Sequence, residues 1–498
     1  MPIAKQAART NWPIIWVILL AFLLRLFGIT NPVLDWHAFR QADTASVTRE
    51  FVKHGINLLV PTYHDHSNIQ TGKDNLLGYR LVEFPIINGL VAKLVLTWPR
   101  LDLVMTSRLV SVFLSLIAIL ALYYLIREIS GDRLAFWSAL TMAVLPYSVY
   151  YSRVVLPEPG LLAASLLSLW GLVKYLKAPN WRWWLLTWFG LCLAFLLKPF
   201  VVFLAPVYLV LIWQSRGLKS FWSWDLVLLA ITSVLPFLAW RNWLAGFPTG
   251  IPASDWLFNG NGIRFRPAWF RWLFWERITK LIWGGLGLSF AVANLANLPE
   301  LKTKTWWRQD WLVYAAWWLG IISYFSVMAT GNVQHDYYQV MAIPILSLTL
   351  ARGILITADA LVKRWSTLAS NSISAIILLT CALISWTQIK GYYQINHWEY
   401  VEAGAIVNQL TRPNAQVIAP AFGDTMFLFQ TNRTGWPIGF EIDDKIAKGA
   451  TNYITTSYDD EARMLEKRFV TQAKTAKYLL LDLTAPLATG SSNLIETN

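Results

Sequence analysis

Cysteine and charge are what this chain of 498 residues has least of. Its two cysteines, Cys192 and Cys381, each lie inside an apolar run, so they are not expected to pair. The fold then does not rely on disulfides, and the thiols carry no information on redox compartment. Charged residues make up only 14% of the chain, whereas about a quarter is ordinary for soluble domains. That deficit excludes a disordered chain, a coiled coil, a collagen and a conventional cytosolic enzyme. A Walker loop, a dinucleotide fingerprint, a zincin helix and a nucleophile elbow are also missing. No internal repeat is evident, which weighs against an inverted-repeat transporter.

What the chain has instead is apolar sequence: 56% hydrophobic residues, 29 tryptophans and a mean hydropathy of +0.43. Stretches long enough to cross a bilayer core recur along it, which predicts an all-α polytopic membrane protein. Eleven crossings are expected, with cores near 12–30, 104–126, 134–151, 158–176, 183–197, 199–213, 222–240, 278–298, 311–329, 338–359 and 371–387. The net charge of +13 then reports orientation, not a nucleic-acid partner. With the N-terminus inside, the cytoplasmic side collects Lys5, Arg9, Arg127, Arg133, Lys174, Lys177, Arg182, Arg216, Lys219, Lys302, Lys304, Arg308, Lys363 and Arg364. The short loops on the other side hold only Arg153 and Lys198. A multi-pass protein of the plasma (inner) membrane follows, with a cytoplasmic N-terminus. The first apolar run continues past Arg25 to Ile29, so it reads as a retained helix and not a signal peptide.

Three parts fall outside. The loop 31–103 contains an amphipathic stretch, Phe84 to Trp98, suited to the membrane surface. The loop from Arg241 to Arg277 carries five tryptophans and reads as interfacial. From about Lys390 the membrane composition ends, and short apolar strands (Val417–Ala419, Tyr453–Thr455, Tyr478–Leu483) alternate with polar helical stretches. The expected domains are therefore a membrane domain over 1–389, which includes loop 31–103, and a small extracytoplasmic α/β domain over 390–498.

Residues 183–213 are apolar almost without interruption except at Lys198-Pro199. One continuous helix would be about 46 Å long against a core of roughly 30 Å. Pro199 favours two short arms and a recess capped by Lys198. A lysine in such a recess is a functional candidate, because a charge at that depth is costly. The alternative is a lysine snorkelling at an external helix end.

The densest polar cluster is Asp35-Trp36-His37-Ala38-Phe39-Arg40-Gln41-Ala42-Asp43-Thr44-Ala45. If Asp35 caps a helix, then His37, Arg40, Gln41 and Thr44 share one face by their three- and four-residue spacing. A carboxylate beside a cation suits removal of a hydroxyl proton while an anionic leaving group is held nearby. The plainer alternative is a capping aspartate on an amphipathic interfacial helix. Further polar knots are Glu83-Phe84-Pro85, Arg153 with Leu156-Pro157-Glu158-Pro159, and His335-Asp336-Tyr337-Tyr338-Gln339. Glu158 could serve merely as a helix-start charge, and the tyrosines as an aromatic belt. All these knots and Lys198 map to the same external side of the topology. His64-Asp65-His66, with His54 nearby, is a weak metal candidate that lacks further ligands at a recognisable spacing. No metal or cofactor is expected.

With these residues assembled, the chain resembles the GT-C membrane glycosyltransferases, and within them the bacterial branch related to protein O-mannosyltransferases and the lipid A aminoarabinose transferase. The resemblance rests on the first-loop cluster, Glu83-Phe84-Pro85, Leu156-Pro157-Glu158-Pro159, Leu197-Lys198-Pro199, His335-Asp336-Tyr337-Tyr338 and Arg433-Thr434-Gly435-Trp436. It implies a sugar donor on a polyprenyl phosphate, transferred with inversion on the non-cytoplasmic face to a hydroxyl of a glycan, lipid or protein. A first-loop acid serves as base. Better-known members place an Asp-Glu pair just before the helix, whereas here Trp36 follows Asp35, so both Asp35 and Asp43 stay open as the base. By the same resemblance Arg40, Lys198 and either His335 or Tyr337 hold the lipid phosphate, and Glu83 and Glu158 bind or orient the sugar or acceptor. His37, Arg153 and Tyr338 complete the candidate binding set. A transporter or flippase of lipid-linked sugars is the alternative function.

Overall fold

The computed structural model describes residues 12–297, 306–362 and 366–487 and is predominantly helical. Lys5, Arg9, Lys302, Lys304, Lys363 and Arg364, six of the charges behind the orientation expected above, lie outside the described residues.

Among the described residues, six helical stretches are long and apolar enough to cross a membrane: Leu103–Ser130, Glu158–Lys177, Pro199–Arg216, Trp224–Leu244, Asp336–Val362 and Thr367–Leu410. The protein is a multi-pass membrane protein, and length with composition supports six of the eleven expected crossings. Of the other five, the 311–329 crossing is one continuous helix of 18 residues, Asp310–Val327, that is less apolar than the six, and the remaining four are short or interrupted. Trp12–Arg25 has 14 residues and Trp181–Leu197 has 17. Asp132–Val144 stops where Leu145, held extended before Pro146, breaks the run. The crossing expected over 278–298 is divided between a π-helix, Arg271–Ile282, and the short helix Gly287–Ala293. Gly284 and Gly285, at φ 66° and 71°, supply the left-handed turn that separates them.

The chain forms two compact units. The first comprises Met1–Ile29, Leu109–Arg241 and Ser254–Gly391; the second comprises Thr30–Arg108, Asn242–Ala253 and Tyr392–Asn498. In the first, Glu158–Lys177 packs along Trp181–Leu197 at small residues. A Cβ added to Gly171 or Gly190 would come within 2.8 Å of Thr187 or Ser168. The expected break at Lys198 is present: the residue before Pro199 is extended (φ −157°, ψ 129°), and a 3₁₀ turn, Pro199–Leu204, leads into Ala205–Arg216.

The second unit is built on a five-stranded sheet of order β2-β1-β3-β5-β4. Its strands are β1 (Gln416–Ile418), β2 (Thr434–Trp436), β3 (Asn452–Thr455), β4 (Phe469–Lys474) and β5 (Leu479–Pro486). β1 runs parallel to β2 and β3, and β5 runs antiparallel to β3 and β4. The three expected strands are β1, β3 and β5. The sequence does not announce β2, a Thr-Gly-Trp triplet, or β4, whose residues are mostly exposed at the sheet edge.

Loop 31–103, expected to group with the membrane helices, shares its unit with the tail. The reason is backbone pairing at the edge of β2: Gly435 N donates to the His64 carbonyl, and His66 N donates to the Gly435 carbonyl. Arg49 adds charge-assisted bonds to the carbonyls of Phe429 and Arg433. The expected interfacial helix is Ile86–Thr97, with Leu90, Leu96 and the adjoining Trp98 exposed.

Candidate active site

The polar knots form two clusters, one in each unit. In the loop-and-tail unit the helix starts at Ala38, and its cap position is His37 in a left-handed conformation (φ 58°, ψ 37°) with no capping side chain. Asp35 is therefore not the cap. Two residues intervene, and Trp36 is held away by stacking on Tyr392, with ring centroids 4.9 Å apart. Asp35 is buried instead, accepting from Gln41 Nε2 at 2.7 Å and pairing with Arg108 at 3.3 Å. Of the shared face expected for His37, Arg40, Gln41 and Thr44, only the last three lie on the helix. His37 lies outside the helix against Trp36 and Phe39, Gln41 turns back to Asp35, and Thr44 bonds the Arg40 carbonyl. Arg40 finds its carboxylate in Glu83.

Asp43 is only 1% exposed, and both of its oxygens are engaged. Oδ1 accepts from Thr425 Oγ1 at 2.7 Å and faces His64 Nε2 at 3.8 Å. Oδ2 accepts from Gln70 Nε2 at 2.9 Å and pairs with Arg80 at 3.0 Å. Burial alone would raise its pKa, but the Arg80 charge, aided by His64 and Thr425, outweighs it and holds the carboxyl well below the usual range. His64 is pushed down to about 4, chiefly by burial, and so is neutral at pH 7.

The His64-Asp65-His66 triplet is spent on packing. His64 meets Arg49 at 3.3 Å, Asp65 accepts from Ser67 N at 2.8 Å, and His66 lies edge-on to Trp436. Burial raises the Asp65 pKa to about 6 and lowers that of His66 to about 4. Among the described residues no group of three or more His, Cys, Asp or Glu is placed to hold a metal ion.

The second cluster belongs to the helical unit. Lys198, 7% exposed, is buried and does not snorkel. It pairs with Glu158, the first residue of Glu158–Lys177. Its ammonium lies 5.2, 5.5 and 5.7 Å from the ring centres of Tyr338, Tyr337 and Phe200, within cation–π range. The other Glu158 oxygen, Oε2, is buried with no hydrogen-bond partner among the described residues. His335 stacks on Tyr337 and meets Trp256 edge-on. Arg153, fully buried, donates to the Gly28 carbonyl at 2.9 Å and lies over the Tyr150 ring.

Arg277 escaped sequence reasoning, and Asp336, part of the polar knot at 335–339, has no role assigned to it by the sequence. Asp336 gathers the Tyr151 hydroxyl and, at 3.5 Å, Arg277; its carbonyl accepts from Tyr147. Arg277 stands on the π-helix over Trp272, with its Nε buried and without a partner among the described residues. Nothing in the local pattern marks it out, because a π-helix turns side chains to a phase that 3.6-residue periodicity misplaces. In the other unit Arg80, Arg108 and Thr425 were missed for the same kind of reason: each reaches its carboxylate from a distant part of the chain.

Residues 102–240 match the family model of the dolichyl-phosphate-mannose-protein mannosyltransferases. The fold is shared with ArnT from Cupriavidus metallidurans, solved bound to undecaprenyl phosphate, at a TM-score of 0.63 and 11% identity over 95% of this chain and 98% of that one. It is also shared with the Archaeoglobus fulgidus oligosaccharyltransferase in complex with Zn and sulfate, at a TM-score of 0.59 and 12% identity over 89% of this chain and 68% of that one. A mycobacterial arabinofuranosyltransferase, AftD, matches at 0.52 and 13% identity over 91% of this chain and 37% of its own. No curated protein is similar to the sequence. The resemblance to the GT-C glycosyltransferases related to protein O-mannosyltransferases and to ArnT thus holds in the family model and in the fold.

Proposed function

We propose that this protein is an integral-membrane glycosyltransferase that moves a sugar from a polyprenyl-phosphate donor to an acceptor hydroxyl on the non-cytoplasmic face, with inversion. The observation that carries this reading is Lys198: a buried ammonium at a helix break, ringed by Tyr337, Tyr338 and Phe200, in a fold shared with a protein solved with undecaprenyl phosphate. A lipid monophosphate leaving group needs fixed positive charge in a place shielded from water, and Lys198 with Arg277 supplies two cations of that kind.

In the reaction a base takes the proton of the acceptor hydroxyl, the oxygen attacks the anomeric carbon, and the bond to phosphate breaks with its electrons going to the lipid phosphate. We assign the base to Asp35. Asp35 is itself bonded by Gln41 and Arg108, and the choice rests on the resemblance of the first loop and on the Asp43 carboxyl being held well below the usual range by Arg80, His64 and Thr425. Arg40 and Glu83 would orient the sugar, and His335, Tyr337, Tyr338 and Arg153 would shape the donor's surroundings. Membrane lipid, the lipid-linked donor and an acceptor glycan, lipid or protein are the partners implied.

The test is transfer by the purified protein in vesicles loaded with polyprenyl-phosphate sugars. The wild type is expected to join labelled sugar to an acceptor. Asp35→Asn should lower turnover by about 10²–10⁴-fold, the usual worth of a general base, while donor binding persists. Sugar carried across the vesicle with none joined would overturn the enzyme reading in favour of a flippase. Full turnover by Asp35→Asn would overturn the choice of base.

A further inference from the structure

The tail unit carries, beside the turn at Phe440 and Glu441 (φ 60° and 45°), a second one that is locally costly. Phe422 is completely exposed at 106% of its reference area and sits at φ 54°, in a region that bulky residues avoid. Gly423 follows at φ 84°, against the side chain of Ile69. The turn is nonetheless rigid. The amides of Ala421 and Gly423 both donate to the Pro437 carbonyl, at 2.9 and 3.1 Å, and Asp424 N donates to the Ala421 carbonyl at 2.9 Å. A bare aromatic on a rigid frame has the form of a binding anchor, since little entropy is lost when it is covered.

The next two residues tie this turn to the first loop. Thr425 Oγ1 donates to Asp43 at 2.7 Å and lies 3.3 Å from the Phe39 carbonyl, so the turn is registered against the helix that begins at Ala38. Asp424 stands between the exposed ring and that threonine. Its Oδ1 accepts from Met426 N at 2.8 Å, which leaves the carboxylate a second oxygen for another donor. Burial, with the nearby Asp43 charge adding to it, pushes its pKa up to about 6 against the opposing effects of the Met426 amide and of His397. A lipid-facing segment has no use for such a carboxylate, whereas a polyhydroxylated ligand does: a sugar ring presents C–H faces to an aromatic and hydroxyls to an acid.

We propose that the turn 421–425 is an acceptor subsite for a hydroxyl-rich, carbohydrate-type group. Phe422 is its stacking platform, Asp424 its hydroxyl-accepting carboxylate, and Thr425 the positioning residue that fixes it to the first loop. This rests on the glycosyltransferase reading for its purpose, but its test does not depend on transfer.

The full-length protein in lipid nanodiscs is presented with maltotriose, and saturation-transfer NMR reads direct contact. The wild type is expected to give a signal, and Phe422→Ala and Asp424→Asn each to weaken binding by about tenfold. Thr425→Val should weaken it too, with Thr425→Ser restoring it. A second measurement places the ring. Both native cysteines are buried, so a Phe422→Cys variant takes a bimane label at position 422 alone. Brominated lipids are expected to leave that label unquenched. Absence of saturation transfer to the wild type, retention of the signal by both Phe422→Ala and Asp424→Asn, or quenching of the label by brominated lipid would each overturn the proposal. Failure of the glycosyltransferase reading shows separately, as a wild type that binds maltotriose but joins no sugar to any acceptor.

Discussion

Two buried carboxylates, Asp43 in the loop-and-tail unit and Glu158 in the helical unit, carry the same charge and almost the same lack of exposure, yet they are bound in opposite ways. Asp43 has its oxygens taken by Arg80, Gln70 and Thr425, with His64 beside them. Glu158 spends one oxygen on Lys198 and leaves the other buried without a partner among the described residues. Burying a charge is tolerable only when its hydrogen-bonding capacity is met. Between these two, the closed set of partners at Asp43 suits a structural tie, and the open one at Glu158 suits a place where a ligand completes the set. By that criterion Asp43 is a strut between first loop and tail, and the Glu158–Lys198 pair with its ring of aromatics is where binding is to be sought.

The largest effect should come from Lys198. Lys198→Ala strands Glu158 and should cost about 3–5 kcal/mol of stability, and it should lower turnover by about 10²–10³-fold by removing a preorganised charge. Thermal unfolding and transfer assays on a Glu158→Gln, Lys198→Met double variant separate the two effects. Stability should return while transfer stays lost, and recovery of both would reduce the pair to a structural role.

Asp43→Asn comes next. It leaves Arg80 without its buried counter-charge, so unfolding should move by about 3–5 kcal/mol while turnover per folded molecule stays close to wild type. The reverse pattern, unchanged unfolding with collapsed turnover, would make Asp43 the base and erase the contrast drawn above. Thr425→Val, which removes one donor from the same carboxylate, should cost about 1–3 kcal/mol, with Thr425→Ser near wild type in the same unfolding measurement.

The smallest effect is on pH dependence. His64 and His66, lowered to about 4, resist protonation in the folded protein, so they withdraw stability as pH falls from the usual histidine value of about 6.5. Asp65, raised to about 6, takes its proton earlier when folded than when unfolded, and so returns stability between about pH 6 and 4. Asp424 acts in the same direction. These contributions oppose one another in the wild type. Asp65→Asn removes part of the compensation, and its melting temperature should fall more steeply than the wild type's between pH 7 and 5. Parallel profiles for the two proteins would show that Asp65 ionises normally.

Much of the molecule could be read before its structure. Long apolar runs gave six of the helices long enough to cross a membrane, and Pro199 gave the break beside Lys198. Local signals failed where geometry is not periodic. The run over 278–298 looks like one crossing, but the π-helix Arg271–Ile282 and the left-handed glycines 284 and 285 divide it. Asp35 has the identity and position of a helix cap and is none, because His37 adopts the left-handed conformation ahead of Ala38.

What the sequence alone determined is therefore the class of protein and the inventory of scarce charges. Burying some twenty apolar residues in a row leaves the backbone one solution, the helix, and makes every ionised side chain in or beside it conspicuous. Only the tertiary structure decided which charges meet. Asp43 joins Arg80 and Thr425 across separations of 37 and 382 residues, and Lys198 joins Glu158 across 40. Coulombic and hydrogen-bond energies depend on distance and solvent exclusion, which chain spacing does not encode. That pairing divides the carboxylates into one that holds the first loop to the tail and one that keeps a valence open.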